Sequence, residues 1–349
     1  MALAATLGLG GCATIEYYWQ GVAGHLDLMR RAQPVATVAV ETTDPVLKAR
    51  LAAAVSIRRF ASDELALPDN GSYTRYADLG RPYVVWNVFA APEFSLTPRQ
   101  WCFPVAGCVN YRGYFDEGAA KSEAAAIGST GDDVHVGGVP AYSTLGYFED
   151  PLLSTFIRYR EPDLARLMFH ELAHQVAYTK DDSGFNESFA VAVEEAGLAR
   201  WLAAQRVRPD ADELAAQVAQ GGRRRAEFRA LMQDTRDRLE TLYAGNATAA
   251  EKRVRKAAIF AEMRSRYDRM KAGWGGVAAF DRWFAGGANN AGIAAVGLYA
   301  DRVEQFRELL AAEGGDLPRF YSRVRVLAAL PKAERDAALA AAAKRIALF

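Results

Sequence analysis

The chain is expected to be α+β: a small antiparallel or mixed sheet in its N-terminal part and a largely α-helical C-terminal part, with an edge strand beside a helix that carries His170-Glu171-x-x-His174. Three observations predict this. Short runs rich in Tyr, Val, Trp and Phe, broken by turn residues, gather between residues 72 and 115. From residue 162 to 349 the chain follows helical spacing almost throughout. The two textures are segregated along the chain, which excludes an alternating βαβ array.

In chain order, residues 15–31 ("IEYYWQGVAGHLDLMRR") are amphipathic and helical. Residues 44–65 form a second helix, with Pro45 in the first turn, where no N–H is needed. "SYTRYADL", "YVVWNVFAA", "WCFPV" and "CVNYRGYF" read as strands. Residues 116–127 are Ala-rich and helical, and Gly128 with "STGDD" closes them. The stretch 134–148, "VHVGGVPAYSTLGYF", is extended, but its paired glycines and Pro140 demote it to an edge strand or loop. A helix then opens at Glu161-Pro162-Asp163, where a proline and negative charge both suit a helix start. Residues 210–243 and 247–271 are long, charged and helical, a hairpin bent at "AGN". Residues 13–160 therefore make a helix-plus-sheet part and residues 161–349 a helical part, with no internal repeat.

Charge excludes some partners. Lys+Arg and Asp+Glu number 42 each, so nothing favours a nucleic acid or another polyanion. The run Arg223-Arg224-Arg225 sits among mixed charges and reads as a solvated helix face. No stretch is long and apolar enough for a membrane-spanning helix. Residues 1–12 end in Leu9-Gly10-Gly11-Cys12, which resembles a bacterial lipobox with Cys12 as the lipidated residue. No Lys or Arg precedes Cys12, so the signal is expected to begin further upstream; without a lipid the stretch is a short apolar helix. Ala13 in place of aspartate points to the outer membrane, with the protein anchored on its periplasmic side. In that oxidising compartment Cys102 and Cys108 are expected to join across the turn made by Pro104 and Gly107, although two free buried thiols fit the same spacing.

Chemistry concentrates in "FHELAHQV", residues 169–176. Two of the four histidines stand here at i and i+4, on one face of a helix. That spacing suits one zinc ion bound by both rings, with Glu171 beside the same face as general base. Zinc lowers the pKa of a water it binds towards ~7, and a nearby carboxylate can then accept the proton. A third ligand is needed. His25 and His135 lie upstream, whereas Glu187, in "SGFNESFAVAVEEAGLARWL", begins a second helix after the short loop "TKDDSG". Ser183 or Asn186 is the expected cap of that helix. Glu194, seven residues after Glu187, shares its face and can orient a histidine N–H, and Glu195 is its neighbour.

"FHELAHQ" followed by "FNESFA" resembles the gluzincin zinc metallopeptidases. More narrowly, these motifs, the lipobox-like start and "NNAGIAAVGLYADRVEQF" resemble a bacterial family of predicted aminopeptidase lipoproteins along nearly the whole chain. The resemblance implies one zinc ion per chain on His170, His174 and Glu187, Glu171 as general base and acid, and a peptide substrate. It departs from thermolysin-like members at Val191, where they carry an aspartate. The edge of the extended stretch, at Val139, Ala141, Tyr142 and Ser143, is the expected peptide-binding strand. Tyr299 is the expected oxyanion donor, with Tyr142 and Tyr147 as competitors. Glu194 and Glu149 are candidates to hold a substrate α-amine. An endopeptidase with the same core, or a lipid-anchored binding protein without catalysis, are the competing functions; three ligands and a glutamate base favour catalysis.

Overall fold

The computed structural model describes residues 9–103, 107–297 and 302–344. Helix α1 (Leu9–Arg31) ends on two arginines, which suit the negative end of its dipole. A two-residue strand, β1 (Gln33–Pro34), leads into the short helix α2 (Val35–Glu41), and α3 (Pro45–Asp63) follows. Its cap is Asp44, whose carboxylate accepts from the N–H groups of Val46 and Leu47. Five strands come next: β2 (Arg75–Ala77), β3 (Val85–Ala91), β4 (Trp101–Phe103), β5 (Gly107–Val109) and β6 (Arg112–Tyr114). Asp116 caps α4 (Glu117–Gly128), and β7 (Asp133–Val139) and β8 (Leu152–Leu153) complete the strands.

The remainder is helical: α5 (Glu161–Val176), α6 (Ser183–Ala204), α7 (Ala211–Ala244), α8 (Ala249–Gly273), α9 (Asp281–Ala285), α10 (Asn290–Gly297), α11 (Val303–Ala312), α12 (Leu317–Ala328) and α13 (Lys332–Lys344). The fold is thus mixed, mostly helical, with small sheets. Helices α7 and α8 form the expected hairpin, opened by a Thr248–Glu251 capping box.

The strands build three small sheets instead of one. β1, β2 and β8 form a mixed sheet, β6, β3 and β7 an antiparallel one, and β4 with β5 a hairpin. β3 is central and buried along its whole length, pairing with β7 from Val85↔Val139 to Ala91↔Asp133. β7 has no second partner among the described residues, so it is an edge. Cys102 pairs with Cys108 in the hairpin register, and a disulfide joins them.

Part of the expected peptide-binding strand is corrected. Only Val139 belongs to β7; Pro140 has no N–H to continue the ladder, and the chain turns inward. Ala141 is buried in the main core, Tyr142 packs on Phe115 and His25, and Ser143 enters a loop in which the Thr144 N–H donates to Asp150. The strand's unpaired edge therefore lies upstream, within residues 133–139, where the Val134 carbonyl is already taken by the Asn289 side chain.

The main core draws on both parts of the chain. Leu51 and Ile57 from α3 meet Leu152, Phe169 and Leu172, then Phe189 and Val193, then Phe306, Phe320 and Leu339. Gly197 lets α6 come close to α5: a Cβ there would sit 2.9 Å from the Phe169 ring and 2.8 Å from Leu65. A second core, with Phe228, Met232, Met263, Tyr267 and Phe284, lies under the α7–α8 hairpin.

Candidate metal centre

Helix α5 buries Phe169, Leu172 and Ala173 and turns His170 and His174 to another face, their rings 4.9 Å apart. The loop after α5 is fastened at both ends. Asn186 accepts from the Thr179 N–H at 2.9 Å and donates to its carbonyl at 2.8 Å. The cap of α6 is Asp182, one residue before the expected Ser183, and it accepts from the Phe185 N–H. Asp182 is itself held by Arg302, Lys332 and Arg335 from the C-terminal helices.

This fastening delivers Glu187 to the histidines. His170 Nε2 lies 3.2 Å from Glu187 Oε2, and His174 Nε2 lies 3.7 Å from Oε1. One ligand atom from each of the three residues falls within 4.8 Å of the others. Two ligands each ~2.0–2.1 Å from a tetrahedral zinc would be about 3.3 Å apart. The three residues present fit such an ion.

Glu194 occupies the place behind His170. Its Oε2 is 3.1 Å from His170 Nδ1, while Oε1 takes a salt bridge from Arg166. A carboxylate on Nδ1 fixes a proton there, and Nε2, which faces Glu187, must give up its own proton before it can bind a metal. This support comes from α6, three residues beyond Val191. Burial alone would lower the His170 pKa, but the hydrogen bonds to Glu187 and Glu194 outweigh it and raise it well above the usual value. Among the described residues His174 lacks such a partner at Nδ1, and burial brings its pKa down to about 4. Its ring is therefore neutral at pH 7, as a ligand must be. Burial pushes Glu171 up to about 7, with Glu187 adding to the rise and His170 opposing it.

The remaining expected residues are scattered. Tyr299 lies outside the described residues, and so does the side chain of Cys12 in α1. His25 packs on Phe148, and His135 of β7 is buried beside Trp283; neither joins the ligand cluster. Tyr147 is largely exposed, at 79%, and Glu149 is exposed against Gly71. Both oxygens of Glu194 are engaged, so it is not free to hold an amine. Glu195 is paired with Arg307.

Two features were not anticipated. Tyr111, in the turn between β5 and β6, feels the charges of Glu187 and Glu171, and burial followed by Glu187 raises its phenol pKa. Its only signal in the sequence is its place just after Cys108. A cavity of about 590 Å³ also opens beside His170, between the β7 residues Gly137, Gly138 and Val139 and the helices α6 and α7.

Over residues 16–339 the chain matches the model of the family described as "Putative aminopeptidase". The chain belongs to this family. Membership supports a peptidase, and the cluster of His170, His174 and Glu187 fits a metallopeptidase. No curated protein and no solved structure matches the chain.

Proposed function

We propose that this protein is a zinc-dependent aminopeptidase with His170, His174 and Glu187 as ligands. The convergence of those three groups on adjacent helices, in a member of this family, is the observation that carries the reading. When bound, zinc polarises the scissile carbonyl and makes a water acidic enough to attack at neutral pH. Glu171, whose carboxylate has no hydrogen-bond partner among the described residues, takes the proton and passes it to the leaving amine. Glu194 keeps His170 in the ligating tautomer. Tyr111, close enough to feel the charges of Glu187 and Glu171, is our candidate donor to the carbonyl oxygen as charge develops there. The edge of β7 at Gly137–Val139, which faces the cavity, takes the substrate backbone as an added strand.

The proposal extends to location: Cys12 carries a lipid anchor and the protein works in the periplasm, at the outer membrane. The Leu9-Gly10-Gly11-Cys12 signal and the Cys102–Cys108 disulfide support this. Mass spectrometry of the mature N-terminus reads it directly, and an unprocessed, lipid-free chain in its native host counts against it.

The deciding experiment measures zinc content and the hydrolysis of free and N-blocked peptides. The expected outcome is one zinc per chain and cleavage only of substrates with a free N-terminus. Glu171→Gln should keep the zinc and lose ~10²–10⁴-fold in kcat. A metal-free wild type, or a variant as active as wild type, rejects catalysis; equal cleavage of blocked peptides selects an endopeptidase.

A further inference from the structure

Arg225 was read from sequence as part of a solvated triplet, and its surroundings correct that reading. It lines the cavity beside His170 and is half-buried, with the missing Cβ of Gly221 leaving room for its guanidinium. Four arginines and three glutamates line this cavity. Arg166 is taken by Glu194, and Arg307 by Glu195 and Glu304. Arg225 and Arg229 have no carboxylate and no hydrogen-bond acceptor among the described residues. Desolvation, and after it the charge of Arg166, brings the Arg225 pKa down to about 10. The charges of Asp163 and Glu194 offset only part of this, and an anion in the cavity would relieve the rest.

We propose that Arg225, with Arg229 beside it, binds a carboxylate of the substrate, so that the enzyme acts on short peptides whose carboxyl end lies in the cavity. This rests on the peptidase reading above. Three features agree with it. The volume, about 590 Å³, is enough for a short peptide segment. The cavity is bounded by His170 on one side and the β7 edge on another, so a segment leaving the reacting centre along that edge enters it. Arg225 and Arg229, with no carboxylate partner among the described residues, would repel a substrate ammonium, which orients the N-terminus away from the cavity and the carboxyl end into it. Two groups offer the same chemistry: the C-terminal carboxylate of a short peptide, or an acidic side chain just beyond the scissile bond.

The test compares trialanine, its C-terminal amide, and the amide of Ala-Glu-Ala, on the full chain loaded with zinc. Wild type should favour trialanine over its amide by about tenfold or more in kcat/KM. Arg225→Gln should bring that ratio close to one, and Arg225→Lys should keep part of it. If the glutamate-containing amide recovers the rate of the free acid, the side chain supplies the carboxylate; if not, the C-terminus does, and either result upholds the site. Calorimetric binding of trialanine and its amide to the Glu171→Gln variant gives a readout that needs no turnover. Should no peptide be cleaved while binding still favours the acid and Arg225→Gln or Arg229→Gln abolishes that preference, the carboxylate site stands and the peptidase reading fails. Equal handling of acid and amide by wild type in both measurements overturns the inference. So does a variant that weakens both ligands equally, which would mark Arg225 as structural.

Discussion

Helices α5 and α6 fold back on each other through a short loop, and so do α7 and α8, but the two pairs keep their charges in different places. The first pair buries His174, Asp182, Asn186, Ser188 and Glu194. Most of these are held by a partner from another element: Asp182 by Arg335, Asn186 by Thr179, Glu194 by Arg166 and His170. The second pair buries apolar residues such as Phe228, Met232, Met263 and Tyr267 and, with half-buried Arg225 and Lys256 (the latter held by Asp133) as exceptions, leaves most of its charges outside. There they make pairs along one helix, Arg236–Glu240 and Arg264–Asp268, or across the hairpin, Arg238–Glu262. Exposed pairs contribute ~0–1 kcal/mol each, whereas losing one partner of a buried pair costs ~3–5 kcal/mol. In the first pair charge positions the candidate metal ligands; in the second it mostly faces solvent.

The largest expected effect tests the buried side of this contrast. Asp182 and Arg335 are each only 4% exposed in their side chains, and Arg302 and Lys332 complete the cluster. Asp182→Ala strands buried Arg335 and removes the cap of α6, so unfolding free energy should fall by about 3–5 kcal/mol in denaturant titration. The sign with pH follows. Burial would raise the Asp182 pKa, but Arg335 and Arg302 outweigh it and hold the carboxyl below its usual value. Its contribution is therefore complete above the unfolded value near ~3.9 and is lost as pH falls through the lower folded value. The difference between wild type and variant should shrink in that acid range. A constant difference from pH 7 to pH 2 would show that the charge is not what matters.

A smaller effect is expected at Glu194, where metal affinity is the measure. Glu194→Ala takes the acceptor from His170 Nδ1 and leaves Arg166 without its partner. Zinc affinity by competition with a chelator should fall ~10–100-fold, the usual loss when a histidine ligand loses its supporting hydrogen bond. The cluster at Asp182 should be untouched, so most of the stability of the metal-free chain should remain. Unchanged affinity would remove Glu194 from the site's support and weaken the contrast between the two helical pairs.

How legible these features were in the sequence depends on how local they are. The shared face of His170 and His174 follows from the period of a single helix, and Glu187 reaches them because the intervening loop is short. The start of α3, the end of α4 and the bend of the α7–α8 hairpin were readable because Pro45, Gly128 and "AGN" punctuate the chain there. Strands β1 and β8, of two residues each, carry no period at all and exist only through their pairing with β2. Tyr111 and Arg225 were missed for a related reason. A tyrosine among 15, or one arginine in a triplet, acquires a role only from what other elements place opposite it.

The smallest expected effect is the control for the whole comparison. Arg238 and Glu262 link the two helices of the hairpin at the surface, with side chains 37% and 50% exposed. Solvent and salt screen such a pair, and holding two long side chains in one geometry costs rotamer entropy. Arg238→Ala, Glu262→Ala and the double variant should each lie within about 1 kcal/mol of wild type, with a coupling energy of ~0.2–1 kcal/mol that shrinks in high salt. Zinc affinity and peptide hydrolysis should not change, because the hairpin's own core of Phe228, Met263 and Tyr267 stays intact. A loss comparable to that of Asp182→Ala would mean that the hairpin's surface charges, and not only its apolar core, fix the position of α7. The wall that presents Arg225 to the cavity would then depend on them too.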